Sequence, residues 1–377
     1  MIEVHFPHMF GIYIHFPYCR KRCPFCDFAV AVRPRIPHQE YERAVLTELD
    51  ARAALFPGRR AVSIYFGGGT PGLWRADCVG RVIGALVSRF GEPEEVTVEC
   101  IPGELSAQHA AALRAAGVTR LSIGIESLDD AQLRALGRQH SAAQAREAIA
   151  HARAAGFASL SADLMFALPG QSVAAFQAEL AAACALELEH LSLYQLTIEP
   201  GTQFARQGMR TSEGADHFMA AHGHMRAAGY IHYEISSYAR PGREAVHNSL
   251  YWRGGEYLGL GMSAHSFRQL PDGGGERFAN SRQLDAYLGA PAGPPALRET
   301  LAAPALRREA IWLWLRRLDQ GIPRQAFAER YGADPAIEHA GTVEQLERAG
   351  LLEVSPSFLR LTDRGMLLAD TVATHFL

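Results

Sequence analysis

The chain has 377 residues, enough for two or three domains, and its 48% hydrophobic and 20% charged residues are the balance of a globular protein. The formal net charge of −3 argues against a bulk electrostatic grip on nucleic acid. No apolar run approaches the roughly 20 residues that span a bilayer, residues 1–10 lack the pattern of a signal peptide, and a cytoplasmic location is expected.

In chain order, Gly11–His15 reads as a first strand and leads into Cys19, Cys23 and Cys26, spaced C-x3-C-x2-C. Further strands are expected at Ala61–Phe66, Glu95–Cys100, Arg120–Ile125, Leu160–Phe166 and His190–Thr197. Between them, apolar residues recur at i, i+3 and i+4 over Tyr41–Leu55, Arg75–Phe90, Ser106–Ala116, Asp129–Leu136, Ala142–Ala155 and Val173–Leu186, the period of amphipathic helices. Strands alternating with helices predict an α/β fold with a parallel sheet. Six such strands fit a partial (β/α)6 barrel, with a doubly wound sheet as the rival. In either case ligands bind at the carboxyl ends of the strands, which here carry Gly67–Thr70, Glu99, Glu126, Asp163 and Gln195. Each of these has a plain structural use as a turn or cap, and their convergence on one rim suggests a pocket.

The pattern changes after about residue 232. A strand is expected near Tyr233–Tyr238, followed by His247-Asn248-Ser249-Leu250-Tyr251-Trp252, a glycine-dense run over Gly254–Gly261, a hairpin tip at Gly273–Gly275 and a linker at Gly289–Pro295. Helices at Ala305–Leu318, Arg324–Tyr331 and Pro335–Ala349, with short strands at Leu351–Val354 and Phe358–Leu361, suggest a winged-helix-like domain. Its third helix carries Glu338, Glu344 and Glu347 against Arg348, which favours packing or docking over reading DNA. The expected division is a core domain over 1–232, a segment completing it over 233–295, and the C-terminal, mainly helical domain over 296–377.

Six cysteines are too few for a disulfide scaffold, and Cys78, Cys100 and Cys184 read as small core residues. The cysteine loop has three readings. Structural zinc sites pair C-x2-C units, and no second pair is present; His15 as a fourth ligand sits on a strand among apolar residues. A redox pair of Cys23 and Cys26 leaves Cys19 unexplained. A [4Fe-4S] cluster held by three thiolates, with its fourth iron open, uses all three. Arg20, Lys21 and Arg22 within the loop would favour the thiolates, or simply form a solvated turn.

The loop and the glycine segment Phe66-Gly67-Gly68-Gly69-Thr70-Pro71 together resemble the radical S-adenosylmethionine superfamily. In that superfamily the open iron is chelated by the amino and carboxylate groups of S-adenosylmethionine, and electron transfer cleaves the sulfonium to a 5′-deoxyadenosyl radical. Tyr13-Ile14-His15-Phe16-Pro17, Cys23-Pro24-Phe25-Cys26-Asp27-Phe28, Gly137-Arg138-Gln139-His140, Asp163-Leu164-Met165, Tyr194–Pro200 and His247–Trp252 extend the likeness to one branch. That branch is the HemW heme chaperones, sister to the oxygen-independent coproporphyrinogen III dehydrogenases. The resemblance implies that Cys19, Cys23 and Cys26 ligate the cluster and that Tyr13 and Phe25 line the S-adenosylmethionine pocket. Gly68, Gly69 and Thr70 would hold the methionine end, and Glu99, Arg138 and Asp163 would supply polar contacts.

The chain departs from the family at Glu126, where Gln is usual, and at Cys100-Ile101, where Ala-Asn is common. Asp27-Phe28 replaces the glycine and further cysteine of the dehydrogenase branch, which favours the chaperone. His247 is either a histidine in a turn among packed aromatics or, as the resemblance implies, a heme ligand with Tyr251 and Trp252 against the porphyrin; His265 is a second, weaker candidate. The implied function is a heme-binding protein that passes heme to a client, with no nucleic-acid partner and any membrane contact made only through the client. Its alternatives are oxidative decarboxylation of coproporphyrinogen III, which would make the protein an enzyme, and a winged-helix regulator with a sensing cluster.

Overall fold

A strand buried on both faces belongs inside a sheet, and the first strand does lie there. In the computed structural model, which describes residues 9–377, β1 (Phe10–Phe16) is buried at every position except Tyr13. It pairs in parallel with β2 (Ala61–Gly68), and parallel pairing continues through β3 (Glu95–Cys100), β4 (Arg120–Glu126), β5 (Ser159–Phe166) and β6 (His190–Gln195). The connections contain α1 (His38–Arg52), α2 (Ala76–Phe90), α3 (Ala107–Ala115), α4 (Ala142–Ala154) and α5 (Val173–Cys184). β1 to β6 stand side by side in chain order. A doubly wound sheet reverses its order at a switch point, so this arrangement decides for the partial barrel.

Local chemistry sets the helix ends. Ser141 and Gln144 form a reciprocal capping box at the start of α4, and α2 stops at Gly91, which takes a φ of 79°. Along α2, Val79, Val82, Ile83, Leu86 and Phe90 are buried in the main core. Each contributes about 1.5–3 kcal/mol by leaving water.

Beyond β6, α6 (Gly214–Ala227) leads to β7 (Ile231–Glu234) and β8 (Ser237–Ala239), an antiparallel pair that extends the sheet through β8. The segment read as a turn around His247 is a short helix, α7 (Val246–Trp252). The glycine-dense run after it holds a strand, β9 (Glu256–Leu260), a seventh parallel member on the free edge of β1. Its glycines serve close packing: a side chain at Gly259 would meet the His265 backbone, and one at Gly261 the His15 carbonyl. Antiparallel β10 (His265–Gln269), β11 (Gly275–Ala279) and β12 (Leu297–Leu301) finish this edge. Residues 297–301, placed in the C-terminal unit by composition, therefore pair in the long sheet.

The C-terminal region has its own core, with Ile311, Trp314, Phe327, Leu346 and Leu359 at its centre. It comprises α8 (Ala303–Leu315), α9 (Arg324–Tyr331), α10 (Ala340–Arg348), β13 (Leu352–Val354) and β14 (Phe358–Leu361). The helix expected over 335–349 is broken at His339. β14 pairs with both β13 and the short strand Ile322–Pro323.

Candidate cofactor site

The cysteine loop leaves the carboxyl end of β1 and is tied down at several points. Gly69 N–H donates to the Phe16 carbonyl (2.8 Å), Thr70 N–H to Tyr18 (3.0 Å) and Phe204 N–H to Pro24 (3.0 Å). Gly137, with φ +71°, lies so near that a Cβ would come within 2.8 Å of Pro24 Cδ. The glycine of the Gly137–His140 motif thus lets two loops touch. Its neighbour Arg138 donates from Nη1 to Cys23 Sγ (3.3 Å) and from Nη2 to the Gly124 carbonyl (3.0 Å), and pairs with Glu126 (3.4 Å). The Thr70 hydroxyl points to Cys19 Sγ at 3.5 Å.

All three cysteines are free thiols, partly exposed. Burial pushes the Cys19 thiol up to about 11, against the opposing pull of the Thr70 hydroxyl, and also raises Cys26. Ligation by iron removes such protons. Of the basic residues inside the loop, Arg20 pairs with Glu104 (3.4 Å), while Arg22 donates to the carbonyls of Cys26 and Phe28 (3.3 and 3.2 Å), and its charge favours the Cys26 thiolate against the larger effect of burial. The guanidinium that reaches a thiol comes from Arg138. Among the described residues no three or more His, Cys, Asp or Glu side chains gather around one metal-ion position; a four-iron cube takes its thiolates at separate corners. His15 is not a fourth ligand, since Nδ1 contacts the Tyr13 hydroxyl (3.2 Å) and Nε2 the Ala29 carbonyl (2.9 Å).

The loop roofs a cavity of about 720 Å³ over the strand ends. Phe25, Gly68, Gly69, Thr70, Glu99, Glu126, Arg138 and Asp163 all line it, brought together from loops and strands up to 138 residues apart in the sequence, Phe25 to Asp163. Three carboxylates face it from successive strands. Glu99 accepts from Tyr65 Oη (2.7 Å) and the Gly68 amide (3.2 Å), and Asp163 from Ser122 Oγ (3.2 Å). Burial raises all three acids from their ordinary values, and neighbouring carboxylates add to it at Glu99, which reaches about 7, and at Glu126. Glu126 also takes a φ of 59°, a strained backbone for a residue with a side chain.

Tyr13 is not on this wall. It belongs with His247 to a second hollow of about 550 Å³, and Asp27, Phe28, Tyr65, Gly68, Glu99 and Tyr194 line both spaces. The two therefore adjoin. His247 projects from α7, whose first amides are held by the Glu95 carboxylate (3.2 Å). The imidazole is buried, stacks on Tyr65 (5.0 Å between ring centres) and meets the edge of Tyr251. Its Nδ1 bonds Ser63 Oγ (2.8 Å), while Nε2 has no partner. Burial, with Arg120 nearby, lowers its pKa to about 3, so the ring is neutral.

Tyr251 lines the hollow, but Trp252 does not: its ring lies under the Arg316 guanidinium of the C-terminal region (5.0 Å). His265 also lines it. Sequence reasoning missed Tyr65, Tyr194, Tyr257 and Arg282 on these walls. Tyr65 had a signal, standing directly before the Phe66–Pro71 glycine segment; Arg282 had none.

The radical SAM superfamily model matches residues 13–182, and the HemN C-terminal domain model residues 301–368. The heme chaperone HemW of Haemophilus influenzae is 33% identical, over 97% of this chain and 97% of its own. The HemW of Escherichia coli is 39% identical over 74% and 75%. The mitochondrial radical S-adenosyl methionine domain-containing protein 1 of Bos taurus is 32% identical over 97% and 87%. Among solved structures, coproporphyrinogen III oxidase (HemN) from E. coli superposes with a TM-score of 0.82 at 22% identity, over 98% and 90% of the two chains, a likeness of fold. Fold, cysteine loop and family model define a radical S-adenosylmethionine protein, a class whose cofactors are a [4Fe-4S] cluster and S-adenosylmethionine. Within that class, the extent of its kinship with the curated relatives places it: the chain belongs to the HemW family.

Proposed function

We propose that this protein binds heme and hands it to a client, with a [4Fe-4S] cluster on Cys19, Cys23 and Cys26 and S-adenosylmethionine in the adjoining cavity. The observation that carries the heme reading is His247: a neutral, buried imidazole with Nδ1 fixed by Ser63 and Nε2 unpaired, on the wall of an aromatic hollow. A hydrogen bond on one ring nitrogen that leaves the other free is how proteins prepare a histidine for metal. Tyr13, Tyr65 and Tyr251 around it suit the flat face of a porphyrin.

The cluster loop fits its group too. Arg138 and Thr70 are placed to hydrogen-bond thiolate sulfur at Cys23 and Cys19, and the donor set is three thiols. Bound there, the cluster would supply an electron to the S-adenosylmethionine sulfonium. The chain's own residues would do the holding: Gly68 and Gly69 line the cavity with backbone, Phe25 offers an apolar face, and Glu99 and Asp163 would meet the cofactor's cationic end. Arg138, paired with Glu126, would hold the Cys23 thiolate. No described helix is long and apolar enough to cross a membrane, and we place the protein in the cytoplasm.

The test is anaerobic reconstitution of the cluster, followed by addition of reductant and S-adenosylmethionine with hemin or coproporphyrinogen III in parallel. Stoichiometric hemin binding without conversion of coproporphyrinogen is expected. Formation of protoporphyrinogen would replace this reading with the dehydrogenase.

A further inference from the structure

The second hollow is electrically lopsided. Its wall carboxylates, Asp27 and Glu99, belong equally to the cluster cavity and so lie at the junction. The basic side chains His265 and Arg282 line the second hollow alone. His265 opens β10, and Arg282 follows the end of β11, to which β10 is paired. Their closeness is felt electrostatically: burial lowers the pKa of both His15 and His265, and the Arg282 charge adds to it, with Arg277 also acting on His265.

Among the described residues Arg282 has no acid partner and, unlike other unpaired arginines such as Arg35 and Arg43, it lines a hollow. Arg277, the other guanidinium near His265, is taken up by Glu299 (3.7 Å) and Glu309. Arg282 makes no ion pair or hydrogen bond among the described residues. A guanidinium is a five-donor fork matched to carboxylate or phosphate. Here it borders a space walled by Tyr13, Tyr65, Tyr251 and Tyr257, so the ligand it suits is flat, apolar across its face and acidic at one edge.

We propose that Arg282, with His265 beside it, anchors the propionate carboxylates of heme in this hollow, while His247 faces the metal. The inference rests on the heme reading above and assigns the ligand's orientation: acidic edge toward the β10–β11 end, the rest toward the wall shared with the cluster cavity. Recognition is then divided. His247 reads the iron and Arg282 reads the carboxylates.

The two roles are separated by titrating hemin and hemin dimethyl ester, in which the propionates carry no charge, and following the Soret band. Wild-type protein is expected to bind hemin about tenfold more tightly than the ester, the worth of one charge-assisted pair. Arg282→Gln should bind the two alike, at the ester's level, and Arg282→Lys should keep part of the preference. His247→Ala should weaken both ligands while keeping the preference for hemin. Arg282 is exposed, so the variants should fold, which circular dichroism and cluster content check. If Arg282→Gln retains the full preference, the anchor is elsewhere and the heme reading stands. If wild-type protein binds neither ligand, both readings fall.

Discussion

The two adjoining hollows are built in opposite ways. The cluster cavity is roofed by one short loop and floored by polar residues at successive strand ends, with three raised carboxylates and one guanidinium. The second hollow is made of aromatic rings from β1, β2, α7 and β9, with Arg282 and His265 at one end and Asp27 and Glu99 on the wall it shares with the cluster cavity. A polar chamber suits a zwitterionic, sulfonium-bearing cofactor; an aromatic one suits a flat tetrapyrrole. The wall they share, from Phe28 to Tyr194, is where the state of one ligand can be felt by the other. Phe28 there is 61% exposed.

The comparison is broken most severely at the cysteine loop. Cys19→Ala should lose nearly all iron and sulfide while keeping native circular dichroism; a variant with full iron content refutes the three-ligand assignment. Next comes His247→Ala, which should weaken hemin binding by about 10- to 100-fold, roughly 1.4–2.7 kcal/mol, and leave cluster content untouched. Hemin binding that survives this change removes His247 from the ligand role. Arg138→Ala should lower thermal stability by about 1–3 kcal/mol, because the Glu126 carboxyl loses its partner in a buried site. The same variant should shed its cluster faster in air, and Arg138→Lys should not restore it, since an ammonium cannot span Cys23 and Gly124 as the fork does.

The smallest effect sharpens the comparison. Burial raises Glu99 to about 7, so the ionised form is disfavoured in the fold. Stability it confers as a neutral acid is complete below the ordinary glutamate range and is lost as pH rises toward 7. A cationic ligand reverses the preference. S-adenosylmethionine affinity should therefore rise up to about tenfold between pH 6 and 8, and the slope should vanish in Glu99→Gln. A slope that persists in Glu99→Gln belongs to another group.

The sequence determined what is local. Three thiols within eight residues, glycines directly after a strand and acids at strand ends all follow from residue type and spacing. These features specified the cofactor class, six parallel strands, their crossover helices and most of the cluster-cavity wall. Tertiary structure decided what joins distant segments. The glycine-dense run, given no secondary structure by its sequence, holds β9, because its glycines are required by the closeness of neighbouring backbones that only the folded sheet supplies. Tyr13 moved to the second hollow: it shares a sheet face with its register partner Tyr65, which lines both spaces, and the sequence does not say where along that face one space ends and the other begins. Trp252 turned from porphyrin to Arg316 once the C-terminal region was packed against α7. Arg282 carries no motif at all; a lone arginine gains meaning only from an aromatic hollow beside it and from the absence of any acid near enough to claim it.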